Sequence, residues 1–438
     1  MIRYTLVFSI TVLVICSPAL ARDYFVAAAD TEVTHVPDGS WEKPWPSLLA
    51  ALKAAELVGV GGDRILLLAG HHGPLEVSGL HFDPPLTITS ASHNTAHVDF
   101  VKIMSSKGLT VQNLKVWPRK PEEIRAIASA SWDSKNIRFE NLIIMSRPQA
   151  DHHYLDWNKK NWLGPWRNHG ILMDSPNSTI EDNTIVGIDF GITTTGSNTS
   201  VLGNRVLGFS GDALRSLGDD TVVSENYVEN CVKVNENHDD GFQAWAPRGK
   251  AAKNRSSLSN LTIANNMILE WTGPNDHPLR CRLQGIGLFD GPYRNVVITN
   301  NVIAVSAYHG IAIYGGHGVT ITHNTVVHSD PNRGEDFPWI RVNDQKSGAP
   351  ASDLIVANNL AMGYANATSA PLPPFRLTNA QITRPFPLFK NATEHDYRPR
   401  ADSEVIDAGK SAYAPDHDIN GQPRPQGNAP DLGAYEVR

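Results

Sequence analysis

The chain has 438 residues, 41% hydrophobic and 19% charged, with a net charge of −7. That balance supports a folded chain with a core and excludes a disordered one. It also argues against a nucleic-acid binder, which needs a basic footprint.

Residues 1–21 read as a secretory signal peptide. Arg3 supplies a positive start, Leu6 to Cys16 an apolar run, and Ala19-Leu20-Ala21 a small-x-small cleavage site before Arg22. The run is too short to span a bilayer, and no later stretch is long enough. An exported, periplasmic or extracellular protein is expected, with no membrane span and as a monomer. Cleavage removes Cys16 and leaves Cys231 and Cys281. An oxidising compartment permits a disulfide between them. Two separate buried thiols are the reading preferred from sequence, and neither cysteine has zinc-site spacing.

From residue 109 onward one short pattern recurs, an apolar pair, then Asn, then another apolar strand. It places Asn113, Asn141, Asn183, Asn204, Asn226, Asn266, Asn301, Asn324 and Asn359 in like settings, with a base period of 21 to 23 residues. A second strand type lies between the copies: His169-Gly170-Ile171, Phe190-Gly191-Ile192, Asp212-Ala213-Leu214, Asp240-Gly241-Phe242, Gln284-Gly285-Ile286 and His309-Gly310-Ile311. This is the period of a β-solenoid coil, whose rungs bury their apolar face only by stacking. Alternation predicts one buried ladder of Ile171, Ile192, Leu214, Phe242, Ile286 and Ile311. The Asn fits a turn position, with its amide bonded to the Asn above and below. A leucine-rich repeat would need fixed leucines that are missing, and a β-sandwich explains the period less well.

With these repeats the chain resembles the pectate-lyase-like superfamily of right-handed parallel β-helices. Asp23-Tyr24-Phe25-Val26 and Trp45-Pro46-Ser47-Leu48-Leu49-Ala50-Ala51 resemble the entry of such proteins, where a strand leads to a capping helix, here about 47–57. Gly61-Gly62-Asp63-Arg64-Ile65-Leu66-Leu67 resembles their first coil. Asp418-Ile419-Asn420-Gly421 and Pro430 to Glu436 resemble the C-terminal segment of bacterial β-helix polysaccharide enzymes. The resemblance implies a solenoid over residues 22–375 and a C-terminal extension over 376–438 packed on it. It implies an acidic polysaccharide as ligand but does not choose the reaction, because this fold hosts lyases, hydrolases, epimerases and inert binders.

The densest polar cluster runs from Asn235 to Trp245 and contains His238-Asp239-Asp240. With Phe242 inward, Gln243 and Trp245 point outward, and Arg215 is the equivalent outward position one coil earlier. Asp212, Arg215, His238, Asp239, Asp240 and Gln243 are thus expected together on rungs about 4.8 Å apart. The competing explanation is a turn-rich stretch whose Asp and Asn side chains cap their own backbone. Cleavage of a uronate chain by β-elimination needs a cation on the carboxylate, a base at the α-carbon and an acid for the leaving oxygen. Arg215, or a Ca²⁺ held by Asp212, Asp239 and Asp240, would neutralise the carboxylate. His238 is the candidate base, with Lys233 and Lys250 as alternatives. Hydrolysis would need two carboxylates across the bond, from Asp212, Asp239 and Asp240. The β-helix polygalacturonases pair such aspartates with a Gly-His-Gly about one coil away. Here Gly316-His317-Gly318 is 77 residues from Asp240, so that match reads as accidental.

Three insertions are expected to wall a glycan groove. The first, Arg147 to Arg167, carries Tyr154, Trp157, Trp162 and Trp166, with His169 just beyond. Their aromatic faces suit sugar rings, and packing onto the solenoid is the rival role. Trp245, Arg248 and Lys250 begin a second, basic stretch with Lys253 and Arg255, which suits an anionic ligand. The third, Trp271 to Gln284, adds His277, Arg280 and Arg282. A non-catalytic glycan-binding β-helix would use the same groove.

Overall fold

Alternating apolar residues and a short repeat give each coil three brief strands, one per sheet. In one coil Thr184–Ile188, Ile192–Thr194 and Ser200–Leu202 enter the third, second and first sheets in turn. The structure is a computed structural model that describes residues 21–58, 62–247, 256–330, 337–365, 368, 378–383 and 385–438. Residues 1–20 of the predicted signal peptide lie outside the described residues, as do Arg248, Lys250, Lys253 and Arg255.

Among the described residues the first sheet has 12 strands, from Asp23–Val26 to Ser352–Ala357. The second has 11, from Leu75–Ser78 to Gly363–Tyr364, and the third 12, from Gly70–His71 to Ala380–Gln381. Neighbouring strands come from successive coils and pair in parallel, which makes a parallel β-helix. The predicted ladder forms as a continuous register, Ile171 on Ile192, Leu214, Phe242, Ile286 and Ile311. Each of the six is at most 2% exposed. Burial of each such side chain contributes about 1.5–3 kcal/mol.

The residue before each ladder position is small, glycine in five coils and Ala213 in the sixth, and this has a steric reason. At the corner between third and second sheets, a Cβ on Gly285 would lie 2.1 Å from the Gly310 carbonyl oxygen and 2.6 Å from Ile303 Cγ2. Residues just before this small corner residue therefore stack in a column of their own: His169, Phe190, Asp212, Asp240, Gln284 and His309.

The asparagine ladder holds the opposite turn, between first and third sheets. Asn183, Asn204, Asn226, Asn266, Asn301, Asn324 and Asn359 join amide to amide, each Nδ2 donating at 2.9–3.0 Å to the next Oδ1 up to Asn359. The ladder starts one residue away from where the repeat placed it. Glu140 pairs with Glu181, so Asn141 aligns with Asp182 and Leu142 with Asn183. Asn113 and Asn141 instead occupy the left-handed position before the ladder, at φ 56° and 50°. Asn tolerates that conformation, which explains the mistaken alignment.

The helix Leu48–Val58 buries Ala51, Leu52 and Ala55 against the first coils. The C-terminal segment lies along the flank of the third sheet. There Val405, Leu432, Ala434 and Tyr435 pack with Leu269, Val302, Val327 and Leu360. The side chains of Arg424 and Glu436, both 0% exposed, pair at 2.9 Å beneath it. Among the described residues no helix is long and apolar enough to cross a membrane.

Candidate active site

Two columns of the solenoid bring the site together. Thr193, Arg215, Gln243 and Gly287 are in register on the outward face of the second sheet. Asp212, Asp240 and Gln284 belong to the corner column beside it, with Asp240 paired to Gln284. Asp212 Oδ2 accepts from Arg215 Nε at 2.6 Å, and Asp212 Oδ1 accepts from the Asp240 backbone N–H at 3.0 Å. Gln243 Nε2 donates to Asp240 Oδ2 at 2.9 Å. The loop from Val232 to Asp239 brings Lys233 Nζ within 3.3 Å of Asp239 Oδ2, and the same ammonium donates to the Asn237 carbonyl. Of the six residues expected to converge, Asp212, Arg215, Asp239, Asp240 and Gln243 form this network, and His238 sits at its exposed rim.

Charge burial dominates the electrostatics. Asp212, Asp239 and Asp240 are 1%, 3% and 0% exposed. Burial raises Asp212 despite Arg215. Burial pushes Asp239 up to about 7 against the pull of Lys233. Burial, with the charges of Asp212 and Asp239 beside it, raises Asp240 well above the carboxylate range. Oδ1 of Asp239, Oδ1 of Asp240 and Oε1 of Gln284 are buried acceptors with no hydrogen-bond partner among the described residues. An uncompensated buried acceptor is costly, so these atoms mark where a cation, a proton or a ligand donor belongs. Arg215 is bound through Nε alone, and its terminal amino groups make no hydrogen bond to the described residues. Its guanidinium lies 3.8 Å over Phe190 and 5.5 Å from Trp245. Gln284 is a site residue that sequence reasoning missed. Its place before Gly285 in the aligned repeat was the available signal.

Asp212 has both oxygens engaged, so the free oxygens for a metal come from Asp239 and Asp240. Among the described residues, one set of three potential ligand atoms lies within 4.8 Å, from Cys231, Asp239 and Cys281. The two sulfurs are bonded to each other. This disulfide corrects the expectation of separate thiols. Spacing concealed it, because the partners are 50 residues apart and meet only when both insertions flank the same coil.

The first insertion does not line the site. Tyr154, Trp157 and Trp162 are 8%, 9% and 4% exposed and pack with Val186, Val232, Val234 and Trp271. They therefore staple the loop to the third sheet instead of offering faces to sugar. Tyr154 Oη accepts from Asn230 Nδ2 at 2.8 Å, and Arg147 lies 3.6 Å over Trp157. His169 is placed at the second-sheet corner, its ring 4.9 Å from Phe190, and burial lowers its pKa. In the third insertion Arg280 is bound to the buried Glu270 at 3.0 Å and His277 to the Leu155 carbonyl at 2.8 Å, so both act in packing. His317 of the Gly-His-Gly lies on the first sheet, in register with Arg294 and away from Asp240. Lys250 and Arg248 lie outside the described residues.

The family model described as right handed beta helix region matches residues 169–335. The solenoid is a right-handed parallel β-helix. The structure of the pectate lyase Pel9A is 18% identical over 96% of this chain and 97% of that one, with a TM-score of 0.52. The Dettilon tailspike protein is 12% identical over 82% of this chain and 67% of that one, also at 0.52. A PL6 family alginate lyase, AlyGC, is 15% identical over 82% of this chain and 53% of that one, at 0.41. Comparison with curated protein sequences gives no match. At these identities the likeness is one of fold.

Proposed function

We propose that this right-handed β-helix is an exported polysaccharide lyase that cleaves a uronic-acid-containing polysaccharide by β-elimination. The observation that carries the reading is a guanidinium with free terminal amino groups beside three buried carboxylates on one face of the solenoid. The similar fold of the pectate lyase Pel9A supports a carbohydrate ligand. The Cys231–Cys281 disulfide suits an oxidising compartment and supports export.

In this reading the terminal amino groups of Arg215 bind the substrate carboxylate and lower the cost of carbanion charge at the adjacent carbon. His238, at the rim, takes the α-proton. The electron pair left behind forms the double bond as the glycosidic C–O bond breaks. The departing oxygen takes a proton from Asp240, whose carboxyl is raised well above the usual carboxylate range by burial and by the charges of Asp212 and Asp239. Lys233 is a weaker candidate base, because its ammonium is committed to Asp239 and Asn237. The free oxygens of Asp239 and Asp240 would hold a Ca²⁺ only in their ionised form, where it would supply positive charge at the carboxylate in place of the Asp240 proton. Hydrolysis is less well served, since Arg215 locks Asp212 and leaves two sequence neighbours as the carboxylate pair.

The test is incubation with a panel of uronate polymers, following ultraviolet absorbance of the unsaturated product and chain length together. Both should change. Shortening without absorbance would make the protein a hydrolase, and tight binding with neither would make it a glycan binder.

A further inference from the structure

The outward column that holds Arg215 continues past the site. Gln243 is followed by Gly287, Ala312 and Arg341, each in register with the one before. Arg341 thus stands four rungs from Arg215, about 19 Å at a strand spacing of ~4.8 Å. Both guanidiniums project from the same column, and Arg341, like Arg215, is held through Nε alone, here by Asn343 Oδ1 at 3.0 Å.

The surface between them is aromatic. Gly287 has no side chain, and the ring of Phe289 lies across it. A Cβ there would be 2.4 Å from Phe289 Cε2 and 2.9 Å from the unpartnered Asp240 Oδ1. The ring therefore begins where the buried carboxylate points. Phe289 continues to His309 at 5.0 Å and Tyr314 at 5.8 Å. Tyr308, 48% exposed, meets His309 at 4.3 Å and Trp339 at 5.2 Å. Burial, then the charge of Arg341, holds His309 down to about 4, so its ring is neutral at neutral pH. Arg341 itself lies 5.6 Å from Trp339 and 5.7 Å from Tyr314. Lys346, paired to Asp290 at 3.2 Å, adds a second cation near Tyr314. Aromatic rings ending in a forked cation suit an acidic sugar chain, apolar sugar faces on the rings and a carboxylate on the fork.

We propose that the face from Phe289 to Arg341 is an extended binding track, in which Tyr308, Tyr314 and Trp339 carry sugar rings and Arg341 binds the carboxylate of a uronate several units from the scissile bond. The track rests on the acidic-glycan reading above and adds to it a direction, toward the C-terminal coils, and a preference for long chains. Arg341 is a specificity-determining residue here and takes no part in bond cleavage.

The experiment compares wild type with Arg341→Gln and Arg341→Lys. Calorimetry uses uronate disaccharides, uronate oligomers long enough to span both arginines, and neutral glucan oligomers of equal length. Arg341→Gln should weaken long uronate oligomers roughly tenfold or more and leave the disaccharide unchanged. Arg341→Lys should fall between, since it keeps the charge and loses the fork. Melting temperatures confirm that each variant is folded. On any polymer that is cleaved, KM should rise with kcat unchanged. Unaltered binding of the long oligomer in Arg341→Gln overturns the track, as does equal loss for neutral oligomers. Arg341-dependent binding without cleavage keeps the track and removes the lyase. Cleavage with an unchanged KM in Arg341→Gln keeps the lyase and removes the track.

Discussion

Replacing Asn226 with Leu tests what holds the coils in register. Leucine already stands at this turn in earlier coils, as Leu114 and Leu142, so the shape is acceptable to the fold. In the middle of the ladder the change removes five side-chain hydrogen bonds. Asn226 Oδ1 accepts from the Asn204 backbone and side chain, and Nδ2 donates to Val201, Ser224 and Asn266. The Asn204 N–H and the Val201 carbonyl then lose this partner in a turn where Asn226 is 1% exposed. Each orphaned group costs about 1–3 kcal/mol, and the added apolar burial offsets about 1, for a net loss near 3 kcal/mol. Asn183→Leu, at the ladder's edge, removes three bonds and should cost less. Urea unfolding of wild type and both variants, followed by circular dichroism, gives the comparison. A loss below about 1 kcal/mol for Asn226→Leu, or an equal loss for both, would show that the amide stack is incidental to stability.

Arg215→Lys keeps the charge but loses the fork, so turnover should fall by roughly 10²-fold or more, with the melting temperature little changed. Wild-type turnover would remove Arg215 from the chemistry. For pH, burial raises Asp239 from 3.8 to about 7, so between those values the folded state binds more protons than the unfolded state. Stability from this group therefore falls as pH rises from about 4 to 7, and Asp239→Asn should flatten that fall in melting curves. Adding Ca²⁺ above this window should raise the melting temperature of wild type but not of an Asp239→Asn, Asp240→Asn double variant, because a bound cation stabilises the folded state by mass action. Trp157→Ala should destabilise by about 3–5 kcal/mol and leave glycan affinity unchanged, which calorimetry on the folded fraction would check.

The solenoid was legible because its inward positions repeat, and the ladder from Ile171 to Ile311 follows from alternation alone. Asp212, Arg215, Asp240 and Gln243 were legible for the same reason, being fixed offsets from ladder residues. Asn113 and Asn141 misled by one position, because Asn suits both the ladder and the left-handed turn before it. The tryptophans of the first insertion were misjudged because the third sheet is apolar outside as well as inside, with Val186 and Val232 ready to receive them. No local pattern reveals that. The aromatic track was passed over since its rings come from separate coils and only the register unites them.

The corner column has a consequence for how such a protein changes over time. Its members, from His169 to His309, share one steric slot, just ahead of a residue whose neighbours leave room only for glycine or, at Ala213, alanine. The slot lies at the corner, beside the apolar ladder and not within it. Exchange of one member therefore rewrites chemistry at its own level and, where a bond crosses levels as from Asp212 to the Asp240 backbone N–H, at the next. Loss or gain of a whole coil slides the pattern by one spacing and keeps its order. The backbone behaves as a graduated scale on which side chains are interchangeable marks, so new specificities arise here by editing single marks, with the scale unchanged.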